Sequence, residues 1–349
     1  MNNFREVLQK VSRGEKLSKD LTREEARQAL TWIFEGEASE FQIGAFFSAM
    51  RMKGESAEET AGFVDAVRER ATLFHPNLED AVDFGEPYDG KVKTLHLTVP
   101  VALILAAAEV PVVLHSTQDT PVKKGVETRG ILEALGVNTT EPLPFQPILE
   151  HEKIVFLPTE KLIPDFAKLR PYREAFGLRP FAKHIEKIFN LANASTQMVG
   201  IYHRPYLEPM GNALALLGTK RAFVIQGVEG FTEFFLSRKT LILKVDEGKN
   251  ESLWLDPAAF GFRGEEELSP GPTADTHARR ILEILEGAKG PARDSILWNA
   301  GVKLYGMKKA ETIEQGLELA RELLNSKKAL EKLEEFRGAT QERIRCQKI

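Results

Sequence analysis

Apolar positions along residues 4–70 recur at helical spacing. Phe4, Val7, Leu8 and Val11 fall at i, i+3, i+4 and i+7, the stripe of an amphipathic helix. Three capping boxes mark further helix starts: Thr22 with Glu25, Ser39 with Gln42 and Ser56 with Glu59. Between the last two lie Phe41, Ile43, Phe46, Phe47, Met50 and Met52, stopped at Gly54. A helix this rich in large apolar side chains either fills a core or turns part of its face to a second subunit.

The pattern changes near residue 80. Residues 83–90, Asp-Phe-Gly-Glu-Pro-Tyr-Asp-Gly, form a Gly/Pro-rich turn, residues 91–98 predict a short strand, and the apolar run 99–108 predicts a helix. Such a turn can aim backbone N–H groups and a helix N-terminus at a phosphate, and an ordinary surface turn has the same spacing. Further short apolar runs at 110–115, 154–157, 199–202, 222–226 and 240–245 are separated by helical patterns such as Ile131 to Leu135 with Gly136 as C-cap. Strands alternating with helices predict an α/β fold with a mostly parallel sheet covered by helices. Residues 276–337 read as helices and 338–349 as a frayed basic tail.

Composition narrows the picture. The 349 residues, 42% hydrophobic and 28% charged, can bury a large core in two or three lobes. With 47 basic and 51 acidic residues the formal charge of −4 gives no global nucleic-acid signature, so a local patch must carry any such function. Residues 161–187 supply one: Lys161, Lys168, Arg170, Arg173, Arg179, Lys183 and Lys187 stand against Asp165, Glu174 and Glu186, with His184 in addition. This segment is either a solvated helix face or an anion site. Glu229 and Glu233, in a loop behind a strand, could hold Mg²⁺ together with substrate phosphates. His75, His151, His203 and His277 lack metal-ligand spacing. The single cysteine, Cys346, excludes an intramolecular disulfide. No signal-peptide pattern opens the chain and no run approaches the ~20 apolar residues that span a bilayer, so a cytoplasmic protein without membrane contact is expected.

Several phrases resemble the anthranilate phosphoribosyltransferase family, which shares its fold with the pyrimidine nucleoside phosphorylases. They are Gln42-Ile43-Gly44-Ala45-Phe46, Met50 through Ser56, Leu132-Glu133-Ala134-Leu135-Gly136-Val137, Gly290-Pro291-Ala292-Arg293-Asp294 with Asn299-Ala300, and Ala329 through Leu333. The resemblance implies a small helical lobe over 1–74, completed by helices about 164–186 and forming a homodimer. It implies an α/β domain from 75–163 and 187–337, with the basic tail after it.

The active-site phrases depart from the family. Its diphosphate loop, Gly-Thr-Gly-Gly-Asp-Gly, survives as Gly85, Asp89 and Gly90, with Glu86, Pro87 and Tyr88 in the middle. Its Asn-Ile-Ser-Thr corresponds to His96-Leu97-Thr98-Val99, and its Lys-His-Gly-Asn-Arg to Leu114-His115-Ser116-Thr117-Gln118. Its magnesium-binding Asp-Glu corresponds to Thr232-Glu233. Gly85, Asp89, Gly90, Thr98 and His115 are therefore read as a vestigial donor site. Arg173 matches the arginine that faces the aromatic acid's carboxylate, and His96 and His115 are either phosphate contacts or satisfied core groups.

The substitutions at 87–91, followed by Lys93-Thr94, resemble a divergent second subfamily. That likeness implies sequence-independent binding of single-stranded DNA or RNA in a basic groove, here lined by Lys91, Lys93, Lys123, Lys124, Arg170, Arg173, Arg179, Lys183 and Lys187. The alternative is a Mg²⁺-dependent transferase moving phosphoribose from phosphoribosyl pyrophosphate to anthranilate or another small aromatic amine. Asp89, Thr98, Arg173, Glu229 and Glu233 would serve it.

Overall fold

The computed structural model describes residues 3–346 except 15, 77, 79, 118–124, 141 and 142, and the side chains of 342–346 lie outside the description. Four helices, Phe4–Val11, Arg23–Phe34, Glu40–Lys53 and Ala57–Arg68, build the N-terminal bundle. All three capping boxes form as their spacing predicts, each worth ~1 kcal/mol to its helix. The bundle core is aromatic and recruits residues from far along the chain. Phe46 packs edge-on to Phe4 and Phe63, Phe63 stacks on Phe181 at 4.1 Å, and Phe47 meets Phe176 at 5.7 Å. Phe41 and Met52 of the same helix stay 92% and 82% exposed.

The α/β part holds one seven-stranded sheet in the order β3-β2-β1-β4-β5-β6-β7. Its strands are β1 (Val82–Gly85), β2 (Val112–Ser116), β3 (Ile154–Pro158), β4 (Thr196–Ile201), β5 (Arg221–Gln226), β6 (Thr240–Asp246) and β7 (Lys249–Leu255). The ladders from β3 through β5 are parallel, and β6 and β7 pair antiparallel at the edge. β1 to β4 are buried along their length, as strands covered on both faces must be. The helix Thr98–Ala107 is buried from Thr98 to Ala106 and the helix Pro291–Gly306 on most of its residues.

Residues 83–85, read as the start of a Gly/Pro-rich turn, belong to β1, and two further expectations are corrected. Residues 91–98 form no strand: Lys91 and Thr94 make single bridges to Val126 and Leu268, and the segment otherwise turns. The helix Lys328–Cys346 runs through most of the expected frayed tail, and residues 347–349 lie outside the described residues. β7 went unforeseen because its residues, Lys-Asn-Glu-Ser-Leu-Trp-Leu, are largely exposed and carry little apolar pattern. Among the described residues no helix is long and apolar enough to cross a membrane.

The chain runs β1, β2, β3 outward on one side of β1 and then returns to lay β4 on the other. Between β1 and β4 the strand order reverses, and ligands of open α/β sheets gather beyond the carboxyl ends of strands at such a point.

Candidate functional site: a filled donor loop beside an open cationic cleft

Beyond β1, residues 86–90 turn sharply inward and every one is buried. Gly90 sits at φ +71°, and a Cβ there would lie 2.6 Å from the Gly125 backbone, so the turn closes only on glycine. Gly85 is packed as tightly, with Lys187 O 2.3 Å from where its Cβ would be.

Glu86 points into the protein. Its carboxylate accepts the Thr98 hydroxyl at 3.1 Å, the Thr232 backbone N–H at 2.8 Å and the Thr232 hydroxyl at 2.6 Å. Thr98 and Thr232, which the sequence aligns with phosphate and metal contacts, are thus occupied by the chain's own anion. Tyr88 is likewise internal. Its hydroxyl lies 2.6 Å from His115 Nδ1 and 2.9 Å from Thr159 Oγ1, while His115 Nε2 lies 3.1 Å from Asp83 Oδ1. In the tautomer that donates from Nε2 to Asp83, His115 accepts from the Tyr88 hydroxyl at Nδ1, and Tyr88 accepts from Thr159. Burial pushes the Tyr88 phenol well above its ordinary range. His96 is also internal, 3.3 Å from Thr128 Oγ1, and burial holds its imidazole neutral. Both histidines are buried among the chain's own groups.

The two candidate magnesium ligands are fully engaged. Glu233 is ion-paired with the buried Lys91 ammonium and accepts the Leu97 N–H at 2.8 Å; burial raises its carboxyl against the pull of Lys91. Glu229, at φ +52°, accepts from the N–H groups of Val92, Lys93 and Thr94 and from the Thr94 hydroxyl. Among the described residues no three His, Cys, Asp or Glu side chains cluster to hold a metal ion. The Mg²⁺ expected from the resemblance does not fit these residues as they stand.

Arg173 is buried and pairs with Glu186 at 3.1 Å, leaving its Nε without a partner among the described residues. Burial raises the Glu186 carboxyl against Arg173's attraction. The arginine expected to face an acceptor carboxylate is answered from within the chain.

What stays open is a cleft of about 560 Å³ between the bundle and the carboxyl ends of β1, β4 and β5. Its cationic lining is Arg51, Lys93, Arg179, Lys183 and Lys187, and Tyr202 and Tyr206 stand on its rim, 58% and 36% exposed. Arg179 and Lys183 both reach Asp89 Oδ2, at 2.6 and 2.9 Å, so the retained donor-loop aspartate organises them. Burial lowers the Lys183 ammonium, with Asp89 opposing.

Of the expected groove, Lys93, Arg179, Lys183 and Lys187 therefore come together. Lys91 is internal, Arg173 is paired behind the wall, and Arg170 is paired with Glu174 at 3.0 Å on the outside of its helix. Lys123 and Lys124 lie outside the described residues. Sequence reasoning missed Arg51, His203 and the two tyrosines as lining residues. Arg51 sits in the last turn of Glu40–Lys53 and donates to Arg179 O at 2.8 Å; a basic last turn beside a chain reversal was its only signal.

Comparison with known proteins agrees with this architecture. Residues 5–71 match the helical bundle domain of a glycosyl transferase family and residues 89–330 its a/b domain. The anthranilate phosphoribosyltransferase of Petrotoga mobilis is 35% identical over 341 residues, spanning 95% of this chain and 96% of its own. That of Bacillus cereus strain B4264 is 33% identical over 99% of both. The crystal structure of the Thermus thermophilus enzyme superposes with a TM-score of 0.83 at 26% identity, covering 97% of this chain and 99% of that one. The Saccharomyces cerevisiae enzyme in complex with PRPP and Mg has the same fold, with a TM-score of 0.83 at 18% identity. From bundle to final helix, this chain belongs to the anthranilate phosphoribosyltransferase family.

Proposed function

We propose that this chain is a phosphoribosyltransferase-type protein that takes a phosphorylated pentose in the interlobe cleft and transfers the pentosyl group to a small aromatic amine. The observation that carries the reading is the cleft itself: cations from the bundle, the 170s–180s segment and the β1 loop converge at the switch point of the sheet. Its volume is that of a small-molecule site. Because Glu86 fills the donor loop, the diphosphate has to be met further out, by Lys93, Arg179 and Lys183. These residues would stabilise the charge of departing pyrophosphate, and the transfer needs no covalent nucleophile.

A second reading is favoured by the exposure of the same lining. Lys93, Arg179 and Tyr202 all face solvent, and a cationic groove with aromatic platforms suits single-stranded nucleic acid.

Calorimetric titration with phosphoribosyl pyrophosphate, with and without Mg²⁺, and fluorescence anisotropy with labelled single-stranded DNA and RNA at two salt concentrations separate the two. Saturable phosphoribosyl pyrophosphate binding that needs no Mg²⁺, weakens at least tenfold in K93E/R179E, and is accompanied by pyrophosphate release with anthranilate or an analogue supports the transferase. Micromolar strand binding that falls steeply with salt, without phosphoribosyl pyrophosphate binding, replaces it with the second reading. Neither ligand binding at low salt removes both.

A further inference from the structure

Lys187 stands apart from the other cations of the cleft. It lines the cleft wall yet is only 3% exposed, on the one-turn 3₁₀ helix Glu186–Ile188 packed against the end of β1. Its ammonium donates to Gly200 O at 2.5 Å and lies 3.5 Å from Gly230 O, carbonyls at the ends of β4 and of the turn after β5. Among the described residues no carboxylate pairs with it. Lys183 and Arg179, by contrast, share Asp89.

We propose that Lys187 is a covalent anchor for phosphorylated aldehydes, the open-chain form of a sugar phosphate among them. The placement has three parts: an amine with no carboxylate paired to it among the described residues, a buried position in the wall, and further cations along the same cleft. A desolvated lysine beside other cations is an arrangement that favours a neutral, nucleophilic amine near neutral pH. Burial, with Lys183 adding to it and Asp89, Glu186 and Glu86 opposing, brings the Lys187 ammonium down to about 7 from 10.5. Asp89, Glu186, Glu86, Lys183, the carbonyls of Gly200 and Gly230 and the β1 end at Gly85 are the groups that face it.

The step balances without an oxidant. The neutral Nζ adds to the aldehyde carbon, and an N–H proton passes to the former carbonyl oxygen to give a carbinolamine. Uptake of one proton from solvent on that hydroxyl lets it leave as water while the nitrogen lone pair forms the C=N bond, leaving a protonated imine. Hydrolysis reverses each step.

The inference rests on the phosphate cleft of the proposed function, and its test separates the two. The full chain is incubated with pyridoxal 5′-phosphate or ribose 5-phosphate, reduced with borohydride, digested and mapped by mass spectrometry. The expected result is a reduced adduct on Lys187, with the imine absorbance of the pyridoxal probe. Inorganic phosphate should suppress labelling at least fivefold, K187M should abolish it, and pyridoxal without its phosphate should label at least tenfold less. In K183M the adduct should remain on Lys187 at a lower apparent affinity. Labelling scattered over Lys93, Lys183 and surface lysines, or labelling indifferent to inorganic phosphate, overturns the anchor. Calorimetric binding of ribose 5-phosphate without any adduct at Lys187 overturns the anchor alone. No binding of either probe removes the cleft reading as well. Should K187M fail to fold, the wild-type peptide map still decides.

Discussion

Replacing Lys91 by methionine removes the positive half of an ion pair with no access to water, since Lys91 and Glu233 side chains are 0% and 1% exposed. The Glu233 carboxylate would keep only the Leu97 N–H as a hydrogen bond, with the buried Lys303 ammonium near it, and it shares its surroundings with Glu86, whose charge already disfavours its ionisation. Breaking a buried pair on one side costs ~3–5 kcal/mol, because the remaining charge loses its direct partner and gains no water. Part of that is recovered if Glu233 takes up a proton, so the loss in K91M should shrink as pH falls towards the raised carboxyl range. Removing both charges leaves an apolar group beside Phe231, and K91M/E233L should lie within ~1–2 kcal/mol of the parent. The assay is a double-mutant cycle by thermal and urea unfolding at pH 5.5, 7 and 8.5. The expected order of stability is wild type near the double variant, with K91M well below both. If K91M melted with the wild type, or if the double variant lost the sum of the singles, Lys91 and Glu233 would not form a closed internal pair. Glu233 would then be free for a cation.

Three further outcomes follow from the same geometry. Y88F removes a hydroxyl held between His115 and Thr159, so it should cost ~1–3 kcal/mol by urea unfolding without changing the affinity of the cleft for inorganic phosphate; an equal stability would mean the buried chain of donors is not formed. For Lys187 the folded value of about 7 lies below the 10.5 of the unfolded chain. Between those values the unfolded state binds more protons, so stability rises with pH across the window; below pH 7 the burial penalty is fully present. K187M should therefore stabilise by up to ~5 kcal/mol at pH 6, with the gain fading towards pH 10, and a gain independent of pH contradicts the assignment. Phe41 and Met52 are exposed on one helix of the bundle, and the expected homodimer would cover them. F41E/M52E should halve the mass seen by light scattering if that face joins two copies, and an unchanged monomer for the parent chain would end the idea.

The helical lobe was legible because caps are local: Ser39 and Gln42 satisfy each other within one turn, whatever the rest of the chain does. The buried strands β2 to β5 were legible because their apolar runs are continuous, whereas β1 was hidden in Asp83-Phe84-Gly85, which reads as the start of a turn. The site was less so. Arg170 and Arg173 are three residues apart on one short helix, yet one pairs outward with Glu174 and the other inward with Glu186, a distinction set by how that helix docks. Lys91 and Lys93 look equivalent in a row of basic residues, but a turn held by Glu229 sends the first into the core and leaves the second in solvent. Arg51, Tyr202 and Tyr206 come from three separate elements, and nothing in the order of the chain ties them together.

The substitutions in the donor loop are mutually consistent rather than a scatter of losses. A glycine loop offers unoccupied N–H groups to a diphosphate; here Glu86 supplies the anion, and Thr98 and Thr232 turn their hydroxyls to it. Lys91 supplies the cation opposite Glu233 and answers that carboxylate from within the chain. Tyr88 fills the remaining volume and finds partners in His115 and Thr159. Removing any one of these would leave a buried charge or donor unmatched, so the loop is stable as a set and reverting a single residue does not reopen it. The cations left beside the cleft stand further out, where Asp89 gathers Arg179 and Lys183 at its mouth.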